Sequence, residues 1–113
     1  MTKLTKKTQK LTQKRVDELS EVLDVLMGRE GLKFEGVGFD KGLQLIMHKH
    51  FGRLNVILAK HDGVYDMEVL FSMDAVDEHV FLGREYDSSD IESIVAKIKK
   101  AIQTVEDIEK SVA

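Results

Sequence analysis

The stretch that decides the fold is Leu54-Asn55-Val56-Ile57-Leu58-Ala59-Lys60-His61-Asp62-Gly63-Val64-Tyr65-Asp66-Met67-Glu68-Val69-Leu70-Phe71. Two apolar runs with a period near two meet at Asp62-Gly63, a dipeptide that tolerates the positive φ angles of a tight hairpin turn. The turn predicts His61 opposite Val64, Leu58 opposite Met67 and Val56 opposite Val69. One face of the hairpin then carries Leu54, Val56, Leu58, Tyr65, Met67, Val69 and Phe71.

Working outward toward the N-terminus, Gly52-Arg53 predicts a second tight turn, which sets Phe51 against Leu54, Met47 against Leu58 and Lys49 against Val56. Asp40-Lys41-Gly42 predicts a three-residue loop that makes Phe39 and Leu43 partners. Leu43, Leu45 and Met47 join the same inward face. Leu32 and Phe34, then Val37 and Phe39, keep a period of two whose phase slips near Gly36, which predicts a bulge there. Toward the C-terminus, His79 to Tyr86 reads as a fifth strand after the polar connection Ser72 to Asp77. Its inward side is open between Val80 with Leu82 and His79 with Phe81.

Helices are expected at both ends. From Thr8 to Met27, Leu11, Val16, Leu19, Val22, Leu23 and Leu26 recur at helical spacing, with Gly28 as the terminator. Ser89 and Glu92 form the signature of a reciprocal cap for a last helix striped by Ile91, Ile94, Val95, Ile98, Ala101, Ile102, Val105 and Ile108. The expected fold class is α+β: an antiparallel five-stranded meander sheet flanked by N- and C-terminal helices in two layers. Residues 1–7 read as a basic flexible arm and 8–113 as a single α-β-β-β-β-β-α domain.

Composition narrows the chemistry. The 113 residues include no cysteine, which removes disulfides, thiolate metal sites and cysteine nucleophiles. No apolar run approaches the roughly 20 residues of a membrane span, and the lysine-rich start is not followed by the apolar stretch of a secretory signal. A soluble, cytoplasmic chain without a membrane partner is the expectation. The formal net charge of −3 hides a basic lead, because Lys3, Lys6, Lys7, Lys10, Lys14 and Arg15 all precede the first acid, Asp17. Such segregation suggests an interaction surface or self-association of the arm on the acidic body, although lysine-rich ends also serve plain solvation.

Catalytic and metal constellations are weak in the sequence. His48 and His50 share a strand side, but the expected register holds His61 more than about 10 Å from them at ~3.3 Å per residue. No metal site and no cofactor are expected. Ser20, Ser72, Ser88, Ser89, Ser93 and Ser111 show no nucleophile elbow beside a histidine. Asp66 and Glu68 share a strand face as solvated acids, and Gly36-Val37-Gly38 leads into a strand rather than the helix a phosphate loop needs.

The sheet side away from the expected core is not wholly polar. Ile46, Ile57, Ala59 and Leu70 share it with Gln44, His48, His50, Asn55, Asp66 and Glu68. Ile46, Ile57, Ala59 and Leu70 are the candidate partner-binding residues. The functional expectation is a non-enzymatic protein-interaction module, adaptor-like, chaperone-like or inhibitor-like, acting as a homodimer. The alternative is nucleic-acid binding through Lys3, Lys6, Lys7, Lys10, Lys14 and Arg15.

In outline, terminal helices around an antiparallel sheet look like secretion chaperones, whose further helix has no room in Ser72 to Asp77. The lysine-rich lead, the meander and the final helix resemble single-stranded-DNA-binding coactivators of transcription, which implies nucleic acid as a partner. Both likenesses are of outline only, without a diagnostic motif, and no family is assigned from them.

Overall fold

The computed structural model describes residues 6–75 and 78–112. A helix α1, Lys6–Glu18, bends at Leu19 into a short α2, Ser20–Leu23, and runs on as a wider π-helical segment, Asp24–Arg29. Five strands follow: β1 Glu35–Gly38, β2 Leu43–His48, β3 Gly52–His61, β4 Val64–Met73 and β5 His79–Ser88. The chain closes with α3, Ile91–Val112. All neighbouring strands are antiparallel in the order β1-β2-β3-β4-β5, so the α+β meander with a helix at each end is the architecture. Among the described residues no helix is long and apolar enough to cross a membrane.

The Asp62-Gly63 hairpin has the expected register, His61↔Val64, Leu58↔Met67 and Val56↔Val69. Its two central residues take φ of 50° and 79°, the left-handed pair that a tight hairpin with right-handed twist requires. The other two turns differ from expectation. The second reversal lies at His50-Phe51, closed by Lys49 N–H donating to Gly52 O at 2.8 Å. Met47 therefore faces Leu54, and Leu58 faces Leu43. Gly52 is a strand residue: a Cβ there would sit 2.0 Å from Ser72 O, so its lack of a side chain permits close strand contact instead of making a turn. The first reversal is shorter than expected by one residue. Phe39 and Gly42 exchange backbone bonds of 2.9 and 3.3 Å around Asp40-Lys41, and a Cβ at Gly42 would collide with Leu58 O at 2.0 Å.

The expected bulge at Gly36 is absent from the continuous β1–β2 register. Leu32 and Phe34 pack on the core, and the inward series continues through Gly36 and Gly38. Those glycines lie inward because α1 does. A Cβ on Gly38 would fall 2.7 Å from Thr12 Cα, well inside van der Waals distance, and Thr12 Oγ1 accepts the Gly38 N–H at 2.9 Å. Val37 and Phe39 consequently belong to the opposite side of the sheet, a correction to the assignment made from hydrophobicity alone.

Gly28 does not end the N-terminal helical run. Leu26 is fully buried, and the turn carrying it is completed by wide bonds from Glu30 N–H to Val25 O and from Leu32 N–H to Leu26 O. Gly31, at φ 67°, takes the left-handed position that releases the chain. At the other end the cap of α3 is Asp90 rather than Ser89: its Oδ1 accepts the Ser93 N–H at 3.1 Å. Glu92 instead reaches Arg29, which donates at 2.7 and 2.6 Å to its two oxygens. Leu19, Val22 and Leu26 from the N-terminal run join Ile94, Val95, Ile98 and Val105 of α3 over the inward side chains of β2, β3 and β4. On β5 the inward side is that of Val80, opposite Phe71, and of Leu82, partly buried at a register shift, while Phe81 points out beside Leu70.

Candidate functional site

The helices leave one side of the sheet uncovered. Because α1 lies against the inward glycines of β1 and α3 against the inward side of β4 and β5, nothing among the described residues packs over the outward side. Register places the outward rows directly. One runs Glu35, Ile46, Asn55, Leu70, Phe81, and the next Val37, Gln44, Ile57, Glu68, Arg84. Ala59 and Asp66 form a further pair beside Phe39, and Phe39, Ile57, Ala59 and Tyr86 line a shallow concavity of about 270 Å³.

The expected residues Ile46, Ile57, Ala59 and Leu70 are thus brought together, each only half-buried. Three further apolar residues missed in the sequence extend the patch. Hydrophobic alternation alone sets Val37 and Phe39 inward, whereas the close approach of α1 to Gly38 sets them outward, and Phe81 lies in the strand whose inward side the sequence does not determine. Phe81 is 52% exposed, enough to make it a contact residue rather than core. The Arg84 guanidinium lies 5.5 Å from its ring centre and 5.7 Å from that of Tyr86, so a cation and two rings share one edge of the patch. Tyr86 donates its hydroxyl to Glu68, and that carboxylate raises the phenol above its ordinary range.

A polar string crosses the same side. Gln44 Nε2 donates to Asn55 Oδ1 at 3.0 Å, Asn55 Nδ2 donates to Ser72 Oγ at 3.0 Å, and Ser72 Oγ lies 2.7 Å from His79 Nδ1. Asn55 is 7% exposed, and its amide is satisfied by this string. Ser72, expected in the connection after β4, is a residue of that strand and stands beside His79. The pairing joins two outward strand residues in a hydrogen-bonded ladder, with Ser72 already accepting from Asn55 and set in regular strand, not an elbow.

The remaining histidines stand apart. His48 pairs with Arg53 and approaches Glu35 Oε2 at 3.5 Å, rather than sharing a row with Glu68. His50 leaves the sheet for the second turn, where its ring meets Phe51 edge-on at 4.5 Å. There it borders an apolar cavity of about 420 Å³ between that turn, Phe71, Met73 and the last turns of α3. His61 lies at the far end of β3, beside Asp66 and Asp87.

The basic residues divide. Lys6, Lys7, Lys10 and Lys14 are exposed on α1, and the spacing of Lys7, Lys10 and Lys14 sets those three along one flank. Arg15 does not belong to that flank. Its Nε donates to Phe39 O at 2.9 Å, Nη2 to Asp40 O, and Nη1 to Glu18 at 2.9 Å, so its charge braces α1 against the first turn. Lys3 lies outside the described residues. Comparisons with protein-family models, curated proteins and solved structures returned no match for the chain.

Proposed function

We propose that this chain is a non-catalytic protein-interaction module that associates through the outward side of its sheet, with a second copy of itself as the partner. The observation that carries the reading is the uncovered five-stranded face with Val37, Phe39, Ile46, Ile57, Leu70 and Phe81 in adjoining rows, while both helical segments occupy the other side. At ~4.8 Å between strands and ~3.4 Å per residue the five strands cover a flat area of roughly 650 Å², to which side-chain relief adds, so the face is comparable to the roughly 800 Å² per partner of a stable interface. Its charges are mixed. Glu35 and Glu68 alternate with Arg53 and Arg84, which suits a twofold contact in which the acids of one copy meet the arginines of the other.

Light scattering on the purified chain at tens of micromolar is expected to give twice the mass of 12.8 kDa. The double variant Ile57→Lys, Leu70→Lys is expected to give the single mass with unchanged far-ultraviolet circular dichroism. A wild-type monomer at that concentration, or a dimer that survives both lysines, overturns the reading.

A further inference from the structure

We propose that His61, Asp66 and Asp87 form a binding site for a divalent transition-metal ion of the zinc class, with three protein ligands and the remaining coordination filled by water. The three residues come from three strands, and particular backbone features converge them. The tight turn holds His61 at the end of β3, with Asp66 five residues on. On β5 the register slips between Tyr65↔Ser88 and Met67↔Glu85, so that Tyr86 and Asp87 together oppose the single residue Asp66. A bulge of this kind turns a side chain away from the direction it would have in a regular strand. Asp87 takes φ 51°, and its N–H donates to Asp66 Oδ1 at 2.9 Å, which leaves Asp66 Oδ2 toward His61.

The resulting geometry suits a small ion. His61 Nε2 stands 2.9 Å from Asp66 Oδ2 and 3.4 Å from Asp87 Oδ1, and all three donor atoms lie within 4.8 Å of one another. Tetrahedral zinc with bonds of about 2.0 to 2.1 Å separates its ligands by roughly 3.3 to 3.4 Å. The two edges from His61 therefore need to change by only about half an ångström or less to match that spacing. Two carboxylates give the site its charge, and among the described residues no lysine or arginine is ion-paired with either. Asp62 Oδ2 lies 3.9 Å from His61 Nδ1, beyond hydrogen-bond reach, and adds a third negative charge beside the ring. On binding, the metal takes the Nε2 lone pair and replaces the 2.9 Å contact between that nitrogen and Asp66 Oδ2. The imidazole nitrogen favours zinc, cobalt or nickel over magnesium and calcium, which prefer all-oxygen shells.

Titrating the full chain with Zn²⁺ by calorimetry is expected to show one ion per chain at micromolar concentration, with Mg²⁺ at least about tenfold weaker. The His61 ring resonances should shift, and the thermal midpoint should rise with added Zn²⁺. His61→Gln and Asp87→Asn are each expected to weaken binding by about tenfold or more. Asparagine is chosen at 87 because it tolerates positive φ, so the variant keeps its fold. His48→Ala should bind as the wild type does. Absence of binding at millimolar Zn²⁺, or affinity unmoved by His61→Gln and Asp87→Asn, overturns the site, as does loss of binding in His48→Ala.

Discussion

Glu85 offers the sharpest link between a single side chain and the pH dependence of stability. It sits on β5 opposite Met67, on the side facing α3, with its side chain 14% exposed. Burial there disfavours its charge. Three donors outweigh that cost: Ser93 Oγ at 2.6 Å, Lys97 Nζ at 2.9 Å and the Ser88 hydroxyl. The carboxyl is accordingly held at about 2, below its ordinary value of 4.5. A group whose acidity is strengthened by folding contributes stability that is fully present above its unfolded value. That contribution is lost as pH falls from 4.5 through about 2.

The shift sets a ceiling of about 3 kcal/mol at ~1.4 kcal/mol per unit. Water reaches this edge strand and screens part of the interaction, so about 1 to 2 kcal/mol is the expected net contribution at neutral pH. Glu85→Gln retains an accepting oxygen but loses the charge that faces Lys97. Urea midpoints for both proteins between pH 7 and pH 2 isolate the effect, because Glu30 and the exposed Glu92, also held below their ordinary range by Lys99 and Arg29, titrate alike in both. The variant is expected to be less stable by about 1 to 2 kcal/mol at pH 7, with the gap closing as pH falls below 4.5. A gap that stays constant or widens toward acid would refute the arrangement of charges around Glu85.

Two further substitutions test the packing. Leu58→Ala, at a fully buried position between Leu43 and Met67, is expected to cost about 2 to 5 kcal/mol in chemical denaturation, whereas His48→Ala on the exposed side should cost under about 0.5; the reverse order would place the wrong face inward. The Tyr65 hydroxyl is buried with no hydrogen-bond partner among the described residues, so Tyr65→Phe should leave stability unchanged or raise it by up to about 1 kcal/mol, and a loss on that scale would reveal a partner for the hydroxyl.

Much of this fold is legible in the sequence where one residue type has one physical role. Asp62-Gly63 needs positive φ at both positions, and its hairpin has the register that its turn chemistry implies. Glycine is less informative where it serves a neighbour. Gly42 and Gly52 read as turn residues, yet a Cβ on either would fall 2.0 Å from a carbonyl oxygen of the adjoining strand. The second turn was consequently misplaced, and Met47 was set against Leu58 instead of Leu54. The sheet faces of β2 survived that error because the displacement is four residues, an even number, and side chains alternate with a period of two. The expected cross-strand row was wrong in its β2 member and right in Leu58 and Met67.

The same reasoning explains why only half of the outward patch was visible beforehand. Ile46, Ile57, Ala59 and Leu70 follow from strand parity alone. Val37 and Phe39 depend on Gly36 and Gly38 being inward, where the α1 backbone occupies the space of a side chain at Gly38 and the Leu43 and Leu45 side chains border that of Gly36. Alternate glycines in a strand flanked by larger apolar residues therefore carry two messages: a helix approaches on the glycine side, and the bulky residues face away from it. In this chain the second message is the consequential one. The contact that seats α1 on β1 is what turns Val37 and Phe39 outward, so the packing of the basic helix on one side of the sheet enlarges the apolar surface offered on the other.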